Sequence, residues 1–347
     1  MDELVRAHEV AATFYRQQLQ SNRRIWAARH LIGRQLGAAL APDSAWSVGY
    51  ASDRWSRLVD HLRENGFDDD TMLAAGLARP TRSGYLVDRF RDRLTFVAHD
   101  IDLRPVGFVA RARAADPKYI NSPNTQIYTK GRSLVGLDAQ QARLARGATP
   151  VLVEGPTDAV AVSLLGGDWA GASPCGTAIT LHQAAIVRRY AAGDTAIVML
   201  DADQAGRRGA VRGLDALSVY FRSVLVAELP DGHDPASLFA ASPRLLHAAL
   251  TNARPGIEFA IDVELARWAK VLDHLSGQVE ALRSVAPLVV KLPTNRIAGQ
   301  VTRLAQHLHL EERVVSREVL ACVGRRPRTG VSHGDLKADL DLESRSP

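Results

Sequence analysis

The sequence predicts an α/β protein built around a parallel sheet, and three observations carry that expectation. Two continuous apolar runs closed by an acid, VLVE (151–154) and TAIVMLD (195–201), read as strands buried on both faces. They alternate with helical patterns, as right-handed strand–helix–strand crossovers require. A mixed region with a hairpin pattern precedes them, and only helical periodicity follows. The expected organisation is a mixed α/β N-terminal subdomain over 1–149, a parallel-sheet domain over 150–245 and a helical subdomain over 246–325. Residues 326–347 lack an apolar stripe and read as a disordered tail.

From Glu3 to Leu40, apolar positions such as Leu4, Ala7, Ala11 and Phe14, then Ile25, Trp26 and Leu31, recur at helical spacing, giving two helices broken near Gln20 to Asn22. A further helix runs from Trp55 to Asn65 and is closed by Gly66. Asp68 to Asp70 offer an N-terminal cap for a short helix ending at Gly76. LTFVAHD and PVGFVARAR, joined by the turn DIDLRP, form an antiparallel hairpin. Ala139 to Arg146 is a connecting helix, and Gly147 to Pro150 a breaker cluster. Beyond it come the strand 151–154, a helix Asp158 to Leu165, a short strand and turn Ser173 to Thr177, and a helix His182 to Tyr190. The strand 195–201, a helix Ala205 to Tyr220 and a strand SVLVAEL (223–229) complete the alternation. After Pro235 the pattern is helical through Val323, broken at Pro243, Pro255 and Pro293.

With 347 residues, 46% hydrophobic and 23% charged, the chain can bury a good-sized core. Its 43 Lys plus Arg against 38 Asp plus Glu give a net charge of +5, which permits a polyanionic partner. That charge is unevenly spread: residues 1–150 hold 22 basic and 16 acidic side chains, 151–250 hold 7 and 10, and 251–347 hold 14 and 12. Anion contact and cation contact are thereby assigned to different parts of the chain. No run approaches the roughly 18 apolar residues of a membrane span, and the N-terminus MDELVRAHEV carries acids where a signal peptide would be basic and then apolar. A cytoplasmic location is expected. Cys175 and Cys322 lie far apart, which excludes a disulfide scaffold and a four-cysteine zinc site, so no zinc is expected in this chain.

In an open parallel sheet the ligand site lies outside the carboxyl ends of the strands. Glu154 ends one strand there, Asp201 and Asp203 end another, and Asp231 and Asp234 follow a third. In extended backbone, i and i+2 face the same side, so Asp201 and Asp203 can aim two carboxylates at one point. Hard oxygen donors of this kind suit Mg2+ or Mn2+, with substrate phosphates completing the shell, and point to phosphoryl transfer. Each acid taken alone also reads as a helix cap, and Asp158, in a first helical turn, also answers the helix dipole.

VLVEGPTDAVAVSLL, SPCGTAIT, IVMLDADQAGRRGA and AELPDGHDPASLF, in this order, resemble the Toprim domain, whose signature is a strand-end Glu and an Asp-x-Asp pair. Upstream, DRFRDRLTFVAHD (88–100), GFVARAR (107–113) and PKYINSPNTQIYTKGRSLVGLDAQ (117–140) resemble the N-terminal half of the catalytic core of DnaG-type bacterial primases. More faintly, the resemblance spans residues 8–322. It implies a primase core that synthesises short RNA primers on single-stranded DNA by metal-dependent nucleotidyl transfer in replication. By motif position, Glu154, Asp201, Asp203 and Asp234 would hold Mg2+ or Mn2+, with Asp158 supporting catalysis. Arg111, Lys118 and Lys130, with Tyr119, Asn121 and Ser122 nearby, would form the basic surface for template or incoming ribonucleoside triphosphate, and Arg207 and Arg34 are further candidates. Arg and Lys contacts to phosphate, with aromatic faces for unpaired bases, agree with that role.

Three departures from the family pattern stand out. Its Asp-Pro-Asp reads Asp234–Pro235–Ala236 here, so one potential ligand is missing. Gly155–Pro156–Thr157 replaces the usual residues after the strand-end Glu, and GFVAR carries one glycine before Arg111 where the family has two. Primases of this type usually carry a zinc ribbon ahead of the core and a helicase-binding bundle behind it. The resemblance therefore implies either a core-only primase, as of a plasmid, phage or integrated element, or a core that works with a separate zinc-bearing subunit, with a replicative helicase as a further candidate partner. A non-catalytic single-strand-binding module and a Toprim nuclease stay open as alternatives.

Overall fold

The computed structural model describes residues 1–114, 117–174, 176, 178–200 and 204–323, with side chains described from 209 onward in the last stretch. They divide into two compact units, Met1–Phe259 and the residues from Ala260 onward.

The first unit holds both large sheets. Helices α1 (Asp2–Ser21) and α2 (Trp26–Gly33) precede β1 (Val48–Ala51), and α3 (Arg57–Glu64) and α4 (Asp69–Ala74) lead to a ribbon of β2 (Ala78–Pro80) and β3 (Leu86–Asp88). Then come β4 (Arg93–His99), β5 (Pro105–Ala112), β6 (Tyr119–Asn121) and β7 (Leu134–Val135). Strands β1, β4, β5 and β6 lie in that order in an antiparallel sheet, and β7 pairs with the end of β4. The apolar stripe of α1, including Leu4, Ala7, Ala11, Phe14 and Tyr15, is buried with Leu58, Leu62, Phe90 and Phe108. Gly49 allows that contact: a Cβ there would lie 2.5 Å from the Cβ of Tyr15. The cap at Asp68 forms as predicted, its carboxylate accepting from the Thr71 N–H.

Helix α5 (Leu137–Ala145) leads to β8 (Thr149–Val153), α6 (Pro156–Leu164), β9 (Trp169–Ala172), α7 (Leu181–Tyr190), β10 (Thr195–Met199), α8 (Gln204–Ser218) and β11 (Ser223–Val226). Next are α9 (Pro235–Ala241), α10 (Pro243–Thr251) and β12 (Arg254–Pro255). The second sheet runs β9, β8, β10, β11, β12, with all pairs parallel except β11–β12. Val151, Leu152 and Val153 are fully buried, as expected of a strand covered on both faces. From β8 the chain moves to one side for β9 and to the other for β10. That reversal places a switch point at the carboxyl ends of β8 and β10.

The structure corrects several sequence expectations. The strand expected at Ser173 lies earlier, at Trp169–Ala172, and Ser173 contributes one bridge to Val135. Its small residues are needed for packing: a Cβ at Gly171 would lie 2.3 Å from the Ala159 carbonyl oxygen of α6. Pro255, expected only to break a helix, sits in the edge strand β12, where a missing N–H is tolerated. Strands β1, β2, β3, β6 and β7 were not predicted; all are of four residues or fewer. The predicted tail lies outside the described residues.

Helix α11 (Gly256–Trp268) crosses into the second unit, which continues with α12 (Leu275–Val289), α13 (Thr294–Leu308) and α14 (Glu312–Val323). Leu282, Val285, Val289, Leu304, Leu308 and Val315 form its buried interior. Pro293 stands at the N-cap of α13, as its breaking role predicted.

Candidate active site

Val153 of β8 stands in register with Met199 of β10, so both strands end at one edge. Glu154 leaves β8 at that edge, half-buried, its carbonyl oxygen accepting from Ser173 Oγ at 2.8 Å. Asp201 and Asp203 lie outside the described residues, as does the side chain of Arg207.

Asp158, expected to support catalysis, is 6% exposed and spans two helix starts. Its Oδ2 accepts from the Gly155 N–H at 3.2 Å and its Oδ1 from the Ala236 N–H, at the start of α9, at 3.1 Å. A Cβ at Gly155 would lie 2.6 Å from Asp158 Oδ2, so a larger residue there would displace the carboxylate. The carboxylate thus satisfies helix-terminal N–H groups and joins α6 to α9. Ala236, at the position of the missing acid, is fully buried in the core with Leu238 and Phe239.

Asp234 is the N-cap of α9. Its Oδ1 accepts from the Ser237 N–H at 2.5 Å, and its own N–H donates to Ser237 Oγ at 2.9 Å. Arg34 Nη1 lies 3.2 Å from both carboxylate oxygens. Burial works to raise its pKa, but the Ser237 N–H and the Arg34 guanidinium outweigh it and hold the carboxyl below the usual range. Next to this pair, Gln35 adopts φ +59° and donates through Nε2 to the Ala240 carbonyl at 2.7 Å, giving α9 a second tie to the end of α2.

His30, one turn before Arg34, was missed by the sequence reading. Its pKa is held down to about 4 by burial and then by Arg111, Arg34 and Lys118, with Asp234 opposing. Of these charged groups, Arg34 and Asp234 are in direct contact, at 3.2 Å. Arg111 stands on β5 opposite Tyr119 on β6, with Nη1 donating to the Ala112 carbonyl at 3.3 Å, and Lys118 is exposed with Nζ 5.8 Å from the Tyr119 ring centre.

Tyr119, Asn121 and Ser122 are less available than expected. The Tyr119 hydroxyl lies 3.2 Å from Thr157 Oγ1 in the first turn of α6, and burial pushes its pKa up to about 12. Ser122 is buried, its Oγ accepting from the Phe108 N–H at 3.0 Å, and Asn121 is half-buried in β6. These residues tie the antiparallel sheet to itself and to the turn after Glu154. Lys130 is exposed in a single 3-10 turn, Lys130–Arg132.

The exposed aromatic face lies elsewhere. Trp55 is 59% exposed, with the Arg91 guanidinium 3.5 Å from its ring centre. Arg91 is also held by the Asp53 carbonyl, to which Nη2 donates at 3.2 Å. The sequence signal was the tryptophan amid arginines in DRWSR, which the helical pattern absorbed.

Of the four acids assigned to a divalent cation, Glu154 and Asp234 are described; the Asp234 carboxylate is held in its ionised form and is engaged by Arg34 and the Ser237 N–H. Among the described residues no group of three His, Cys, Asp or Glu could hold a metal alone.

A parallel sheet with acids at a switch point, joined to a basic antiparallel sheet, is matched by two family models. Residues 151–239 match a Toprim-like family, and residues 14–141 match the N-terminal domain of the DNA primase catalytic core. The fold and the site therefore define a Toprim-containing protein, of a domain type that typically binds divalent metals. The DNA primase of Mycobacterium tuberculosis is 36% identical over 305 residues, covering 84% of this chain and 47% of that protein. The crystal structure of the RNA polymerase domain of M. tuberculosis primase DnaG superposes with a TM-score of 0.73 at 31% identity, covering 88% of this chain and 98% of that one. The same domain in complex with a double-stranded DNA oligomer with a 6-nucleotide overhang gives 0.70 at 32% identity, covering 89% and 98%. The chain belongs to the DnaG-type DNA primase catalytic cores, or RNA polymerase domains. It spans about half the length of the curated relative it matches. Among the described residues, no helix is long and apolar enough to cross a membrane.

Proposed function

We propose that this chain is a primase core that joins ribonucleotides on a single-stranded DNA template. One observation carries the reading: Arg34, at the end of α2, pairs with Asp234, the N-cap of α9, at 3.2 Å, in the compact unit whose parallel sheet ends at Glu154. A nucleoside triphosphate needs cations beside carboxylates able to share a divalent metal.

In this reading Glu154, Asp201, Asp203 and Asp234 would hold Mg2+ or Mn2+, which would supply positive charge to offset the triphosphate and lower the pKa of a 3′-hydroxyl. Arg34, Arg111, Lys118 and Lys130 bind and orient the triphosphate and the backbone of the strand. Asp158 keeps the starts of α6 and α9 in fixed relation. Trp55 with Arg91 gives an unpaired base a stacking surface. Arg207 adds a phosphate contact next to Asp203. In this reading the basic surface lies in 1–149, the metal site in 150–245 and a helical subdomain in 246–325. A replicative helicase is the protein partner for such a core, acting at the replication fork.

Incubation of the purified chain with single-stranded DNA, labelled ribonucleoside triphosphates and Mn2+ tests the reading. New oligoribonucleotides are the expected product. Cut DNA without them would indicate a nuclease, and binding alone a non-catalytic module.

A further inference from the structure

Helix α7 is fastened to the antiparallel sheet at both ends. At its C-terminal end Arg189 pairs with Asp102 at 3.0 Å, and the Tyr190 hydroxyl donates to the Ile101 carbonyl at 2.7 Å, both in the turn between β4 and β5. At its N-terminal end a capping box forms, with Gln183 N donating to Thr180 Oγ1 and Thr180 N to Gln183 Oε1, each at 3.1 Å. That box leaves two groups to spare, the Gln183 amide nitrogen and the Thr180 hydroxyl hydrogen.

Both reach across to the turn that carries Lys130. Gln183 Nε2 lies 3.1 Å from the Lys130 carbonyl oxygen, 2.8 Å from that of Ser133 and 2.8 Å from that of Pro174. Thr180 Oγ1 donates to the Gly131 carbonyl at 2.6 Å. A 3-10 turn of three residues is weakly held by its own bonds, so these contacts fix its carbonyls from outside. Gln183 is fully buried, and its two amide hydrogens serve three acceptors. The Lys130 side chain lies over Gly176, where a Cβ would be 2.5 Å from Lys130 Cε and 2.9 Å from Nζ.

We infer that Gln183 is a positioning residue for Lys130: its carboxamide locks the 130–133 turn to the start of α7, so that the Lys130 ammonium meets a phosphate group in a fixed place relative to the parallel sheet. The inference rests on the proposed role of Lys130 in binding triphosphate or template. A lysine has a long, flexible stem, and holding its backbone removes part of the ordering that phosphate binding would otherwise require. A cap serving only α7 would need Oε1 and not Nε2.

A double-mutant cycle separates positioning from simple support of the fold. Lys130→Ala, Gln183→Met and the double variant are compared in the whole chain by apparent KM for ribonucleoside triphosphate, Kd for a single-stranded oligonucleotide, and melting temperature. Gln183→Glu is the second variant, because a carboxylate still accepts from the Thr180 N–H and keeps the cap while losing the donor. Gln183→Met and Gln183→Glu are expected to weaken whichever parameter Lys130→Ala weakens, by about fivefold. In the Lys130→Ala background they should change it no further, although melting falls equally in both backgrounds. An equal fold-change in both backgrounds, or a fall in melting temperature with KM and Kd unmoved, would overturn the inference alone. If Lys130→Ala alters neither parameter, the assignment of Lys130 falls, and the inference with it.

Discussion

Asp158 and Ala236, 78 residues apart in sequence, meet where two helices begin: the Asp158 Oδ1 accepts the Ala236 N–H at 3.1 Å. One carboxylate therefore completes the first turn of α9 while its other oxygen serves Gly155 at the start of α6. The turn after Glu154 and the cap that carries Asp234 are fixed relative to each other by this side chain.

Asp158→Ala is accordingly expected to destabilise the chain by about 3 kcal/mol, since two charge-assisted bonds to buried N–H groups are lost. Asp158→Asn keeps one acceptor oxygen and should lose less. Urea unfolding measures both. A variant as stable as the parent would contradict the linking role.

Restoring the family's second acid with Ala236→Asp should not create a metal ligand. The Ala236 side chain is fully buried among apolar neighbours, and an unpaired carboxylate there costs several kcal/mol or stays protonated. The expected outcome is a lower melting temperature with Mn2+ affinity unchanged by calorimetry. Tighter Mn2+ binding would show that the position opens to the site.

Acid sensitivity follows from His8, which is fully buried, stacked on Phe108 and held down to about 4 mainly by burial. Unfolded, it titrates near 6.5, so between those values the unfolded chain binds more protons. Stability is therefore complete above about pH 6.5 and lost as the pH falls toward 4, by about 3 kcal/mol from this group. His8→Phe should flatten that part of the urea-midpoint profile; an unchanged slope would place the sensitivity elsewhere.

Single-strand binding should depend on Trp55 and Arg91 in different ways. Trp55→Ala removes a stacking face worth about 1–3 kcal/mol and should leave the salt dependence intact. Arg91→Ala should reduce the slope of log K against log salt by about 1. Fluorescence anisotropy at several salt concentrations reads both. Binding indifferent to Trp55 would remove the stacking surface from the account.

Strands β8 and β10 were legible because buried parallel strands leave apolar runs, and the acids closing those runs were legible with them. Strand β9 was not, since after Trp169 it consists of Ala170, Gly171 and Ala172, small residues that admit α6 and carry no β-branched signal. Lys118 and Arg111 were named from motifs and Arg34 as a further candidate, but the meeting of Arg34 with Asp234, 200 residues along the chain, depends on the placement of α2, which no local pattern encodes. Asp158 was recognised as an acid in a first helical turn. One of its partners is a backbone N–H far along the chain, so sequence showed the acceptor without its use.

The central claim is that carboxylates at the carboxyl edge of the parallel sheet carry primer synthesis, and Glu154→Gln tests it most directly, with Asp201→Asn beside it. Primer synthesis on single-stranded DNA with Mg2+ or Mn2+ is measured together with the urea-unfolding midpoint. The expected result is loss of oligoribonucleotide product in both variants, with the midpoint of the parent retained. Product formed at the parent's rate by both folded variants would contradict the account.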